Sequence, residues 1–173
     1  EVFYLYENPD VRSAKEADNL ITALQHYLRS AGSWECRPHP AIDPSLMKER
    51  DQKTGNYKNP IEYISCEHAS SNYMQISSLF DQNWYEYAAR DFSLEIGFSK
   101  RYRSWVEHFL AFGIDADIAG IPDFDLDFYH KHYPEVAEAW SAGHLKSSFV
   151  HFLRHGIAEG RNPNKFFDSR YYL

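Results

Sequence analysis

The chain has 173 residues, 43% hydrophobic and 25% charged, which is ample for a buried core and ordinary for a globular fold. Its 17% aromatic content, from 13 Tyr, 12 Phe and 4 Trp, excludes a disordered chain, because that much ring surface buries itself. A formal charge of −7 without a basic stripe excludes phosphate-backbone binding of nucleic acid, and no apolar run approaches the roughly 18 residues of a membrane span.

Taken in chain order, the sequence states one pattern several times with a period near forty residues, the mark of stacked helical units. The first copy, 1–41, lacks an opening Phe-Asp and runs from Phe3-Tyr4 through Asn8-Pro9-Asp10-Val11 to His26-Tyr27-Leu28 and Pro38. Asn8 and Pro9 there predict a helix restart, the Asn as cap and the Pro at the first helical position. The second copy, 42–79, is degenerate. It keeps Ile42-Asp43-Pro44 and Asn59-Pro60 but has no matching His or Gly, and residues 50–60 are polar and breaker-rich, the place for a loose or functional insertion.

The third copy, 80–123, opens on Phe80-Asp81-Gln82-Asn83-Trp84-Tyr85 and continues with His108-Phe109-Leu110, Gly113 and Pro122. Its Arg90-Asp91-Phe92 has no proline, so its first helix is expected to run smoothly. The fourth, 124–166, opens on Phe124-Asp125, breaks at Tyr133-Pro134, and proceeds through Ser147 and His151-Phe152-Leu153 to Gly156 and Pro163. Residues 167–173 begin a further copy. Phe80 and Phe124 stand 44 apart, Phe124 and Phe167 43 apart, and His108 and His151 keep the same 43.

Each copy reads as helical punctuation. The Asp of Phe-Asp caps the first helix, and the preceding Phe staples onto it. Thr22, Asn59 and Ser147 cap the second helix, which carries one apolar face through Leu24, Tyr27 and Leu28 or Phe149, Phe152 and Leu153. The recurrent His is expected to hold a backbone group, and Gly113 and Gly156 are expected to be left-handed C-caps. No stretch alternates with period two. The predicted class is all-α: tandem helical repeats of 38–44 residues, as a solenoid or a compact helical array.

These residues resemble a bacterial helical repeat built around Phe-Asp-x-x-Tyr-Tyr-Leu, Asn-Pro-Asp-Val, and Asn-Pro-Leu-x-His-Tyr-Leu followed by Gly and a Gly-Arg-x-Pro loop. The matching segments are Phe167-Asp168-Ser169-Arg170-Tyr171-Tyr172-Leu173, Asn8-Pro9-Asp10-Val11, His151-Phe152-Leu153-Arg154-His155-Gly156 and Gly160-Arg161-Asn162-Pro163. The resemblance covers most of the chain, weakly in 42–79. It implies a helical accessory region of a large bacterial protein of surface-polysaccharide assembly, beside glycosyltransferase or rhamnan-synthesis domains. It implies no catalytic residue here, because the family's catalysis resides in separate domains.

Two constellations invite a metal. Asp123, Asp125 and Asp127 form Asp-x-Asp pairs that could anchor a metal and nucleotide diphosphate, but a calcium loop fails on Phe128 and Pro134, and Asp125 already serves as a cap. His151 and His155 have zinc spacing on a helix, with no Glu in an H-E-x-x-H arrangement, and position 151 recurs as His26 and His108. The favoured reading is structural for both, with no metal and no cofactor. Tyr4, Tyr85, Phe128, Tyr129 and Phe152 recur and are expected in the core, whereas the unrepeated Trp34, Tyr57, Tyr73 and Trp140 are the candidate binding surface. Cys36 and Cys66 form no C-x-x-C and have no argued His partner, and no G-x-S-x-G occurs.

The expected function is a non-catalytic scaffold that positions neighbouring domains or protein partners, with polysaccharide as a further partner and no nucleic acid. The alternatives are a glycan-binding module using the exposed aromatics, a self-assembling subunit whose ends complement one another, and part of a glycosyltransferase with catalysis elsewhere. The start at Glu1 and the stop inside a copy read as a segment of a longer protein. Its setting is cytoplasmic or membrane-associated beside a glycosyltransferase, or else extracellular.

Overall fold

The computed structural model describes residues 4, 8–9, 11–13, 26–27, 34, 37–51, 57–67, 74–96 and 102–172, without the side chains of 50, 51, 66, 67, 91–96 and 172. Thr22, Leu24, Leu28, Cys36, Tyr73, residues 52–56 and the side chain of Cys66 lie outside the described residues. The fold is all-α, with no strand among the described residues. None of their helices is long and apolar enough to cross a membrane. The chain divides into two compact units, Glu1–Ser78 and Leu79–Leu173.

In the first unit, Tyr4, Val11 and Tyr27 are buried, and Tyr4 meets Tyr27 edge to face with ring centroids 5.7 Å apart. Asn8 turns its amide back onto Tyr4 O at 2.8 Å, and the N–H groups of Val11 and Arg12 donate to Asn8 O, so the chain turns helical after Pro9. Helix α1 (Pro44–Asp51) starts where Asp43 Oδ1 accepts from Ser45 N and Leu46 N, 3.0 and 3.2 Å away. Helix α2 (Pro60–Glu67) starts where Asn59 Oδ1 accepts from Glu62 N, while the Glu62 carboxylate reaches back to Lys58 N. The two helices pack together, with Ile42, Met47 and Ile76 fully buried nearby in sequence.

The second unit opens with α3 (Gln82–Ile96), a single 15-residue helix that runs through Arg90-Asp91 without interruption. Asp81 Oδ1 caps it, accepting from Asn83 N and Trp84 N. Helix α4 (Trp105–His108) is capped by Ser104, whose hydroxyl accepts from Glu107 N, and it widens into a π-helical turn over Phe109–Gly113. Next come α5 (Leu126–His132), capped by Asp125, and α6 (Pro134–Ser141). Proline has no N–H and pushes Tyr133 off helical dihedrals, to φ −126 and ψ 71, so the break falls where the sequence placed it. Helix α7 (Ser148–His151), capped by Ser147, widens into a second π-helical turn over Phe152–Gly156, and α8 (Ser169–Tyr172) follows behind the Asp168 cap.

The loops turn back on the helices they follow. The N–H of Asp43 donates to Ile76 O, that of Asp81 to Gly120 O, and that of Asp125 to Pro163 O, all within 2.8–3.0 Å. Each cap aspartate thus works in two directions, its carboxylate forward into its own helix and its amide onto a distant loop. The core of the second unit lies between these helices and includes Phe80, Tyr85, Ala89, Val106, Phe109, Phe124, Tyr129, Phe149 and Phe152. Tyr4, Tyr85, Tyr129 and Phe152 are core residues as expected, but Phe128 is half-buried. It stacks on His132 at 4.0 Å, because the one-turn offset between them puts both rings on the outer side of α5.

Gly113 and Gly156 are not left-handed C-caps. Both lie inside the π-helical turns, and the left-handed residues come four positions later, Asp117 at φ 56 and Gly160 at φ 65. The widened turn delays the stop: Ile118 N donates to Gly113 O and Arg161 N to Gly156 O before the chain reverses. What demands glycine at 113 is close approach, because a Cβ there would sit 1.9 Å from the Tyr85 hydroxyl.

Candidate functional site

The recurrent histidines hold tyrosine hydroxyls, not backbone groups. Tyr4 is hydrogen-bonded to His26 Nδ1 at 3.0 Å, Tyr85 to His108 Nδ1 at 2.7 Å, and Tyr129 to His151 Nδ1 at 3.1 Å. For Tyr85 and Tyr129 the tyrosine comes from the first turn after the Asp cap, the histidine from the later helix, and Gly113 or Gly156 leaves room for the hydroxyl. Burial holds the Tyr85 and Tyr129 hydroxyls far above the ordinary phenol range, so they remain protonated.

Burial also lowers the affinity of His108 and His151 for a proton; at His151 the nearby Arg161 and His155 add to the effect. The unfolded chain takes up these protons near 6.5 while the folded chain resists, so below that pH the unfolded state binds more protons. Stability is therefore complete above pH 6.5 and falls as the pH drops toward the lowered folded-state values. Urea midpoints at pH 7.5 and 5.5 should show the decline, and His108→Gln should flatten it.

The acidic candidates do not converge. Asp125 Oδ1 caps α5 through Phe128 N at 2.9 Å, Asp127 is exposed in the first turn of that helix, and Asp123 is exposed with its carbonyl accepting from Asn164 Nδ2. His151 and His155 lie with ring centroids 5.5 Å apart, but His151 Nδ1 is engaged by Tyr129. Among the described residues no group of three or more His, Cys, Asp and Glu side chains gathers as a metal site.

Of the aromatic candidates, Trp34 and Tyr57 are half-buried and meet around Tyr63. Trp34 donates its indole N–H to Tyr57 O, and both rings meet Tyr63 edge to face. Trp140 stays 41% exposed and rests against the His130 ring, whose Nε2 is 2.7 Å from the Ser148 hydroxyl. Ser148 is fully buried, whereas His130 is half-buried.

A polar cluster lies at the start of α6 and the approach to α8, with Arg161 and Asn162 supplied by the Gly-Arg-x-Pro segment. Arg161 donates from Nη1 to Glu135 and from Nε to Glu159, each at 2.5 Å, and its guanidinium lies 4.7 Å over the Tyr133 ring. The Tyr133 hydroxyl accepts from Asn162 N, and Asn162 Oδ1 accepts from Ser169 N. The helix-start N–H at Glu135 and the bond from Arg161 hold the Glu135 carboxyl below the usual carboxylate range. Tyr133, Glu159, Arg161 and Asn162 border an open cleft of about 350 Å³. The signal for it was disagreement between copies: Tyr133 and Arg161 stand where the preceding copy has Ala89 and Ile118. No family model matches the chain, and no curated protein or solved structure is significantly similar to it.

Proposed function

We propose that the chain is a tandem array of helical units that serves as a non-catalytic scaffold within a larger bacterial protein of cell-surface polysaccharide assembly. The observation that carries the array is the tyrosine–histidine bond, made three times at sequence separations of 22, 23 and 22. Around the Tyr85–His108 and Tyr129–His151 bonds the Asp cap, the returning loop bond and the π-helical turn recur in the same order. In this reading the recurrent polar residues are engaged in holding each unit together, which leaves each unit's exposed faces for partners.

The polysaccharide setting rests on the motif resemblance of the Phe-Asp, Asn-Pro-Asp-Val and Gly-Arg-x-Pro segments. Excising residues 1–173 in frame in the host, with the rest of the protein kept, is expected to reduce surface polysaccharide. The isolated chain is expected to give only background transfer from nucleotide sugars. Unchanged polysaccharide would refute the setting, and transfer above background would refute the non-catalytic role.

A further inference from the structure

The cleft beside Arg161 has a definite chemistry. Its walls include Tyr133, Glu159, Arg161, Asn162, Asp168 and Arg170. Arg161 is engaged by two carboxylates and covers one face of Tyr133, so it forms wall and not a free cation. Asn162 presents its oxygen to Ser169 N, which leaves the amide nitrogen as a donor. Tyr133 accepts from Asn162 N and keeps its own proton to give. Asp168 caps α8 with Oδ1 alone, so its second oxygen is an acceptor. Arg170 makes no ion pair among the described residues.

The ligand class follows from this inventory. With Glu135 counted, carboxylates outnumber guanidinium groups around the cleft, so a free anion such as phosphate gains no net field there. A metal ion is not favoured either, because among the described residues no group of three or more His, Cys, Asp and Glu side chains gathers to hold one. Donors and acceptors standing side by side in an open cleft suit neighbouring hydroxyl groups, each of which gives one hydrogen bond and takes another. We infer that this cleft binds an uncharged, hydroxyl-rich small molecule, a single neutral saccharide residue. The inference stands apart from the scaffold reading, since it rests on side chains that the copies do not share: Ala89, Ile118 and Asp127 occupy the corresponding positions of the preceding copy, and the first two are buried.

Saturation-transfer NMR on the whole chain tests it, with neutral hexoses, deoxyhexoses and N-acetylhexosamines as probes and sodium acetate and inorganic phosphate as charged controls. At least one saccharide should bind saturably with a Kd on the order of 1 mM, the range open to a ligand of so few atoms. Arg170→Ala, at an exposed position, should weaken that binding about tenfold. Lys146→Ala, exposed and away from the cleft lining, should leave it unchanged. Absence of saturable binding by any saccharide, equal affinity in Arg170→Ala, or binding by acetate or phosphate alone would overturn the inference.

Discussion

Replacing Gly113 by alanine should destabilise the fold by about 3 kcal/mol, from overpacking and a lost buried hydrogen bond, less the helix-propensity gain over glycine. The new Cβ would lie 1.9 Å from the Tyr85 hydroxyl oxygen, 2.7 Å from its Cζ and 2.9 Å from its Cε2. Tyr85 cannot step aside. It is fully buried, bonded to His108, and in ring contact with Phe80, Trp105 and Phe109. Either the ring shifts into occupied space or the bond to His108 breaks. At Gly156 the same change meets the Tyr129 hydroxyl at 2.6 Å and Phe152 Cδ2 at 2.9 Å, a milder overlap expected to cost about 2 kcal/mol. Urea denaturation of both variants checks the order. Tyr85→Phe placed on Gly113→Ala should recover about 1 kcal/mol relative to additivity, because the atom nearest the new methyl is gone. A Gly113→Ala protein as stable as wild type would mean that the close approach does not constrain the core.

Asp117→Ala is the second large loss, expected at about 3 kcal/mol from two charge-assisted hydrogen bonds and the left-handed backbone penalty of alanine. Asp117 is buried at φ 56, and its Oδ1 accepts from the Ser147 hydroxyl at 3.0 Å and from Phe149 N at 3.1 Å. One oxygen therefore fastens the loop after the first π-helical turn onto the start of α7. Asp117→Gly keeps the backbone freedom and loses only the carboxylate, so it should cost about 2 kcal/mol. Asp117→Asn keeps an oxygen and tolerates the left-handed region, so a change within about 1 kcal/mol is expected. Chemical denaturation that ranks alanine no worse than asparagine would remove the carboxylate's role.

The sequence made the punctuation of this fold readable because caps and breaks are local. Asp43, Asp81, Asp125 and Asp168 each accept from the first turn of the helix that follows, and the chain breaks at Tyr133-Pro134 but not at Arg90-Asp91. What spacing does not carry is direction across the core. The recurrent histidine was visible as a beat, but its partner, a tyrosine 22 or 23 residues earlier, depends on how two helices face one another. For the same reason glycine at 113 and 156 suggested a turn, when the requirement is room for a phenol hydroxyl. The Arg161 cluster was hidden because Glu135 and Arg161 are far apart in sequence: the Tyr133-Pro134 break and the Gly-Arg-x-Pro loop were each visible, but not that they meet.

The double use of the cap aspartates has a consequence for how the chain finds its structure. In each of the three returning bonds the amide of Asp43, Asp81 or Asp125 ties off a loop of its own, and no two of these loops overlap in sequence. Closing a loop of about forty residues is entropically modest, and the cost grows only slowly with length. The chain therefore carries three separate closures of low contact order, each available before the others have formed. That favours fast folding from several starting points over one slow, chain-wide nucleus.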